Sequence, residues 1–342
     1  MKTIIRTDAS HIIGTGHVMR CLTLAQTLQN KGAEVQFICR KHEGNLIDKI
    51  CSTGFHTFEL ELTDEKEVDN KLAYTSWLGA TQQKDVDECI NILKDKKTDW
   101  LIVDHYSLDE YWQKSLKPYY KKLMVIDDLA DRQFDCDILL NQNLGSTKEQ
   151  YKNRVPKSCE LLLGCEYALL RPEFSKLRGQ ALEKRKKTKE IKNILISMGG
   201  GENKIIYDIL KQLDSRFNVV VVLGKNFLFN KKVQSYVDGK NIKIIMETDN
   251  MAKLMLDADL AIGAGGSTSW ERCCLGLPTI VFMIADNQRE VVKNLEQLGA
   301  VIVAENLKED LQLIMRDIDL WKRMSNKAQE ICDGLGVHRI KI

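Results

Sequence analysis

Between positions 8 and 20 the chain gathers Asp8, Ser10, Gly14, Gly16, His17 and Arg20, its densest group of residues able to do chemistry. A short apolar strand around Ile4 and Ile5 runs into this polar turn, and the glycine pair opens a helix. His17 is thereby expected on the first helical turn, where unpaired N–H groups and the positive end of the helix dipole converge. Such a place attracts anions, diphosphates above all. It also disfavours a second positive charge, so the imidazole is expected to serve as a proton acceptor. An imidazole beside a phosphate cradle is what a general base acting on a phosphorylated or nucleotide-linked substrate needs. Arg20, one turn further on the same face, is expected to meet phosphate, and Asp8 to orient the ring. The turn reads Gly-x-Gly-x-x-Met, without the third glycine of dinucleotide-binding turns. Alone it describes equally well a tight strand-to-helix connection carrying a solvent-facing histidine. The acid, the hydroxyl and the arginine in its company favour catalysis.

A second cluster spans residues 263–278, Gly-Ala-Gly-Gly-Ser-Thr-Ser-Trp-Glu-Arg-Cys-Cys-Leu-Gly-Leu-Pro. Gly265 and Gly266 would let backbone approach a bulky anion, while Ser267 or Thr268 caps the helix that follows. Those hydroxyls, Ser269 and the first-turn N–H groups suit a diphosphate. Glu271 could accept from both hydroxyls of a ribose. It could equally complete a helix start, favourable through the dipole by a few tenths to about 1 kcal/mol. Downstream, Asp286-Asn287-Gln288 follows a strand; Asn287 and Gln288 are helix caps or donors to a sugar or phosphate.

Other candidates are thinner. Asp104 and Tyr106 close a strand, where loops of α/β sheets meet ligands. His105 between them is slightly better explained as a structural residue. Asn141 and Gln142 could serve as amide partners to a ligand or simply turn the chain. His11, His42, His56 and His338 have no supporting neighbours.

The elements that must position these groups alternate along the chain. Strands are expected at 3–6, 34–39, 55–60, 100–104, 122–127, 138–140 and 160–163, with helices clearest at 17–31 and 85–96. The pattern restarts with a strand at 191–197, a glycine turn at 199–201 and a helix at 203–213. Strands at 218–223, 242–246, 260–263, 279–283 and 301–304 follow. This is an α/β architecture of two Rossmann-like domains with parallel sheets facing a central cleft. The first domain is expected over 1–182, a solvated charged linker over 183–190 and the second domain over 191–316. A helix at 317–332, within a C-terminal segment 317–342, is read as returning to the first domain.

Composition narrows the function. With 342 residues and 44% hydrophobic content, two domains with real cores are the natural expectation. Fifty basic against 48 acidic residues leave +2, which gives no field for nucleic acid. Ten cysteines without C-x-x-C spacing read as reduced thiols in a cytoplasmic protein, and Cys273 and Cys274 as small buried apolar groups. No apolar run approaches the roughly 20 residues that span a bilayer. No metal site, cofactor or obligate protein partner is implied.

Taken together, the Gly-Gly-Ser…Glu…Gly-Leu-Pro segment and the Asp-Asn-Gln turn resemble the nucleotide half of GT-B glycosyltransferases, especially the N-acetylglucosaminyltransferase of peptidoglycan synthesis. The opening Arg-Thr-Asp-Ala-Ser-x-x-Ile-Gly-Thr-Gly-His-Val-Met-Arg-Cys is narrower. It resembles the UDP-2,4-diacetamido-2,4,6-trideoxy-β-L-altropyranose hydrolases of pseudaminic acid biosynthesis. Segments 103–106, 126–130, 137–143 and 167–174 agree, so the resemblance runs from residue 1 to about 300. It implies a GT-B fold and a UDP-sugar substrate. The uracil would lie against 242–250, the ribose on Glu271, and the diphosphate over 265–269 and the Gly14–Gly16 turn. His17 would direct water at the anomeric carbon, with inversion. The alternative within the same fold is a glycosyltransferase that moves the sugar to an acceptor. A hydrolysing UDP-sugar epimerase and a non-enzymatic sensor are more distant rivals.

Overall fold

The computed structural model describes residues 1–63, 72–199, 205–224, 231–246 and 248–342. They form two compact units, Met1–Leu169 with Val337–Ile342, and Leu170–Gly336.

The first unit is built on β1 (Lys2–Thr7), β2 (Glu34–Arg40), β3 (His56–Leu60), β4 (Thr98–Asp104), β5 (Tyr120–Ile126), β6 (Ile138–Asn141) and β7 (Glu160–Leu163). They pair in parallel in the order β3-β2-β1-β4-β5-β6-β7. Its helices include α1 (Gly16–Asn30), α2 (Ile47–Ser52), α3 (Gln82–Leu93) and α4 (Glu110–Leu116). Successive strand residues face opposite sides. Ile5, Phe37, Ile102 and Met124 pack with Val18, Cys21, Leu24 and Leu28 of α1. Ile4, Ile38, Leu101 and Val103 pack with Val86, Cys89 and Leu93 of α3 and Trp112 and Leu116 of α4. Burial on both faces is why these strands read as continuous apolar runs. The strand order reverses direction at β1 and β4. Chains leaving those two strands therefore diverge and open a crevice at the carboxyl ends, where α/β sheets bind ligands.

The second unit repeats the plan with β8 (Asn193–Ser197), β9 (Asn218–Leu223), β10 (Ile242–Met246), β11 (Leu260–Ala264), β12 (Thr279–Phe282) and β13 (Val301–Val303). The order is β10-β9-β8-β11-β12-β13, all parallel, with the reversal at β8 and β11. Its helices include α5 (Pro172–Lys187), α6 (Ile205–Gln212), α7 (Lys231–Val237), α8 (Met251–Asp257), α9 (Thr268–Cys274), α10 (Arg289–Gln297), α11 (Leu307–Arg316) and α12 (Ile318–Ile331). Of the glycine turn expected at 199–201, Gly200 and Gly201 lie outside the described residues, as does Asn203, the expected start of the next helix.

Three expectations about the domains need correction. The boundary falls at Leu169–Leu170, not after residue 182. Residues 183–187, expected in a linker, are the last turns of α5. Their charges are not merely solvated. The buried Arg185 guanidinium donates to the carbonyls of Ala258 and Met255, and Lys184 Nζ lies 2.7 Å from Asp259 Oδ1. Both cations thus satisfy the carbonyl end of α8, where basic groups are favoured. The C-terminal segment also divides differently. Helix α12 stays with the second unit, with Trp321 and Met324 in its core, and only Val337–Ile342 join the first. Among the described residues no helix is long and apolar enough to cross a membrane.

Candidate active site

The first crevice is assembled from the loop after β1, the start of α1, and the chain leaving β4 and β5. Ser10 builds the loop: its Oγ accepts from the N–H groups of Ile12 and Ile13 at 3.1 and 2.9 Å, and its carbonyl accepts from Gly14 N at 2.9 Å. Gly14 sits at φ +80°, a conformation glycine adopts without strain. Gly16 begins α1, and no side chain caps that helix. Its first N–H groups and dipole therefore stay available to an anion.

His17 follows, largely buried, with Nδ1 2.6 Å from Asp104 Oδ1. Arg20, on the same helix face, donates from Nε and a terminal nitrogen to both Asp104 oxygens at 2.6 and 2.7 Å. Its other terminal nitrogen is 3.3 Å from Asp128 Oδ2. The Tyr106 hydroxyl donates to Asp128 Oδ1 and its ring stands edge-on to His17, centroids 4.7 Å apart. Asp104 is wholly buried. Burial alone would raise its pKa, but the Arg20 guanidinium and then His17 outweigh this and hold the carboxyl well below the usual carboxylate range. An ionised Asp104 can only accept, so the short contact makes Nδ1 a donor and leaves Nε2 as the ring nitrogen without a part in that contact. Burial, followed by Asp128, pushes the Tyr106 phenol up, so it remains a donor.

Several expected roles change in this setting. The acid that orients His17 is Asp104, not Asp8. Ile4 and Arg6 of β1, and Asp8 just after it, point to the α3 face, whereas Ile102 and Asp104 of β4 point to the α1 face. Asp8 accordingly binds Arg6 at 2.6 Å and the N–H of Arg40 at 2.7 Å. Arg6 and Arg40 both reach Asp85, at 2.7 and 2.8 Å, in a fully buried network. Arg20 is spent on two carboxylates and is not a free phosphate ligand. His105 belongs to the structural side: Nδ1 accepts from Ser107 N at 3.1 Å, so the protonated Nε2 faces Asp8 Oδ2 at 3.3 Å. His42 Nε2 is 3.7 Å from the same oxygen. With Arg6 already neutralising Asp8 and His105 presenting a proton, this trio is no cation site. Asn141 is buried with Nδ2 on the Tyr151 hydroxyl (3.0 Å) and Oδ1 on Asn143 N (2.9 Å). Its amide serves the fold. Gln142 Oε1 likewise takes Leu169 N at 3.0 Å.

The second crevice is mostly backbone. Gly265 leaves β11 so close to α10 that an added Cβ would stand 2.2 Å from Val292 Cγ2. Gln288 Oε1 accepts from Gly265 N and Ile284 N, each at 3.2 Å, so this side chain ties the turn together. Gly266 is half-buried and Thr268 opens α9, but the expected cap is missing: Ser267 is exposed and its hydroxyl makes no capping bond. Ser269 is turned inward, its Oγ 2.9 Å from an Arg272 nitrogen. Glu271 lies 3.6 Å from Arg171, and burial raises its pKa against the pull of Arg171 and Arg272. Asn287 belongs to the short helix Asp286–Gln288; its side chain, like residue Glu247 beyond β10, lies outside the description.

Residues 173–331 match the glycosyltransferase family 28 C-terminal domain. An uncharacterized protein of Methanocaldococcus jannaschii is 31% identical over 302 residues, 85% of this chain and 57% of that protein. The chain thus spans little more than half of that relative. The UDP-2,4-diacetamido-2,4,6-trideoxy-β-L-altropyranose hydrolase of Campylobacter jejuni is 30% identical over 270 residues, 78% of this chain and 86% of that enzyme. This chain belongs to that hydrolase family. The MurG crystal structure from Acinetobacter baumannii covers 98% of the chain and 97% of its own, with TM-score 0.66 and 15% identity. That likeness establishes the fold as GT-B. Within the hydrolase family, then, the His17 network sits in the first Rossmann-like unit and the family 28 match covers most of the second.

Sequence reasoning gave no role to Asp128, Arg171 or Trp77. Asp128 has a recoverable signal, two positions beyond the end of β5 where ligand-facing loops begin. Arg171 and Trp77 have none, since Glu271 and His17, the groups they meet in the two crevices, are distant in sequence.

Proposed function

We propose that the chain hydrolyses a UDP-linked 2,4-diacetamido-2,4,6-trideoxy sugar to UDP and the free sugar. Water attacks the anomeric carbon as the bond to the diphosphate oxygen breaks, with inversion, and His17 Nε2 takes the water's proton. The 2.6 Å contact of His17 with ionised Asp104 at an uncapped helix mouth carries this reading. Arg20 bridges Asp104 and Asp128, and one of its terminal nitrogens also lies 3.3 Å from His17 Nδ1. Asp104, the carboxylate in contact with the ring, is the group proposed to hold it as it takes up the proton. General-base action of this kind typically supplies about 10²–10⁴ in rate. Gly265, Gly266 and the open start of α9 are the groups proposed to hold the diphosphate, and Glu271 the ribose; N–H groups at helix ends stabilise the departing charge.

The test is His17→Ala with purified UDP-sugar. UDP release should fall by about 10²–10⁴ while UDP affinity by calorimetry stays unchanged. Near-normal turnover would refute the assignment. A second reading, sugar transfer to an acceptor, draws on the family 28 match over 173–331 and the MurG-like fold. Free sugar appearing by NMR with no acceptor present favours hydrolysis; UDP release only after an acceptor is added favours transfer.

A further inference from the structure

The polar groups around His17 are engaged with one another: Asp104 with His17 and Arg20, Asp128 with Arg20 and Tyr106. What they leave beside the ring is aromatic. Trp77 lies in the short helix Thr75–Leu78, its indole edge-on to His17 with centroids 6.3 Å apart. It stacks on Tyr106 at 5.6 Å and 28°, and Tyr74 packs against both at 4.4 and 5.2 Å. The segment is pinned from two sides. Leu78 is buried in the core, and Ser107 Oγ donates to the Tyr74 carbonyl at 2.6 Å. Trp77 is nevertheless only partly buried, unlike Tyr106, so part of an indole 6.3 Å from the imidazole stays accessible.

We propose that Trp77 is a specificity-determining residue whose indole receives the methyl-bearing face of a deoxygenated diacetamido sugar. The proposal rests on the hydrolase reading for its substrate. A sugar lacking hydroxyls at carbons 2, 4 and 6 presents a methyl group and two acetamido methyls where an ordinary hexose presents hydroxyls. An aromatic face braced by neighbouring rings gains contact with such groups. It gives a buried hydroxyl no partner, which costs the competing hexose its hydration.

Trp77→Ala and Trp77→Phe are to be compared with wild type on the UDP-diacetamido-trideoxy sugar and on UDP-N-acetylglucosamine. For Trp77→Ala, KM for the deoxy sugar should rise on the order of tenfold, the size of effect a lost apolar contact has on selectivity. The preference over UDP-N-acetylglucosamine should shrink by the same factor, while kcat and UDP affinity hold. Trp77→Phe should restore most of the KM. In His17→Ala protein, binding of the free deoxy sugar should quench a tryptophan signal that the added Trp77→Phe change removes. A fall in kcat at constant KM, or equal losses on both sugars, would overturn the proposal and leave Trp77 as packing for His17. A wild type that binds the free sugar through Trp77 yet releases no UDP would defeat the hydrolase reading and spare this one.

Discussion

The two units make the same device, a strand, a glycine turn and a helix start, and equip it in opposite ways. Around Gly14–Gly16 the turn is backed by a buried charge network in which every carboxylate has a named partner. Around Gly265–Gly266 the turn is tied by Gln288 and by Arg272, which donates to the Ala264 carbonyl just before it, and the helix start behind it stays uncapped. A group that must move a proton needs its tautomer and orientation fixed, and charges buried together do that. A cradle for a diphosphate needs N–H groups and room, which glycine supplies best.

Asp104→Asn tests the first half most severely. The amide can present a donor to Nδ1, favouring the wrong tautomer, so kcat should drop on the order of 10³–10⁴-fold. It would also strip Arg20 of its main partner, and breaking such a buried pair costs about 3–5 kcal/mol, readable by denaturant melting. If turnover survives within tenfold, the network is scaffolding and the contrast between the units dissolves.

The same carboxyl predicts a pH effect. Its pKa is lowered by Arg20 and His17 against the opposing effect of burial. The stability it contributes should therefore be complete above the unfolded value of about 3.9 and be lost as pH falls further. Wild-type stability should decline more steeply than that of Asp104→Asn below about pH 4. Parallel acid-unfolding curves would count against Asp104 as the anionic anchor.

In the second unit, Gly265→Ala sharpens the comparison from the backbone side. Its Cβ would meet Val292 at 2.2 Å, so the turn must shift, at about 1–3 kcal/mol of stability. UDP binding should weaken while the His17 dyad is untouched. Unchanged UDP affinity would remove this turn from the nucleotide site.

Glu271→Gln should have the smallest effect, a roughly tenfold loss of UDP affinity for one charge-assisted bond. Because burial raises the Glu271 pKa, wild-type UDP affinity should begin to fall with acid already above the ordinary glutamate value of about 4.3. The glutamine variant should lack that pH dependence; if it keeps it, the titrating group lies elsewhere.

Local pattern determined much of this protein. Apolar runs bounded by turns marked the strands because both sheet faces are buried, and Gly14 and Gly265 marked the turns because backbone there needs freedom or closeness. The run at 183–187 misled for a reason no local pattern holds. Lys184 and Arg185 find their partners at the end of α8, some seventy residues away. The pairing of His17 was likewise decided only in three dimensions. Asp8 is nearer in sequence and equally acidic, but a strand turns alternate residues to opposite faces. The register of β1 beside β4 gives the α1 face to Asp104 and the α3 face to Asp8.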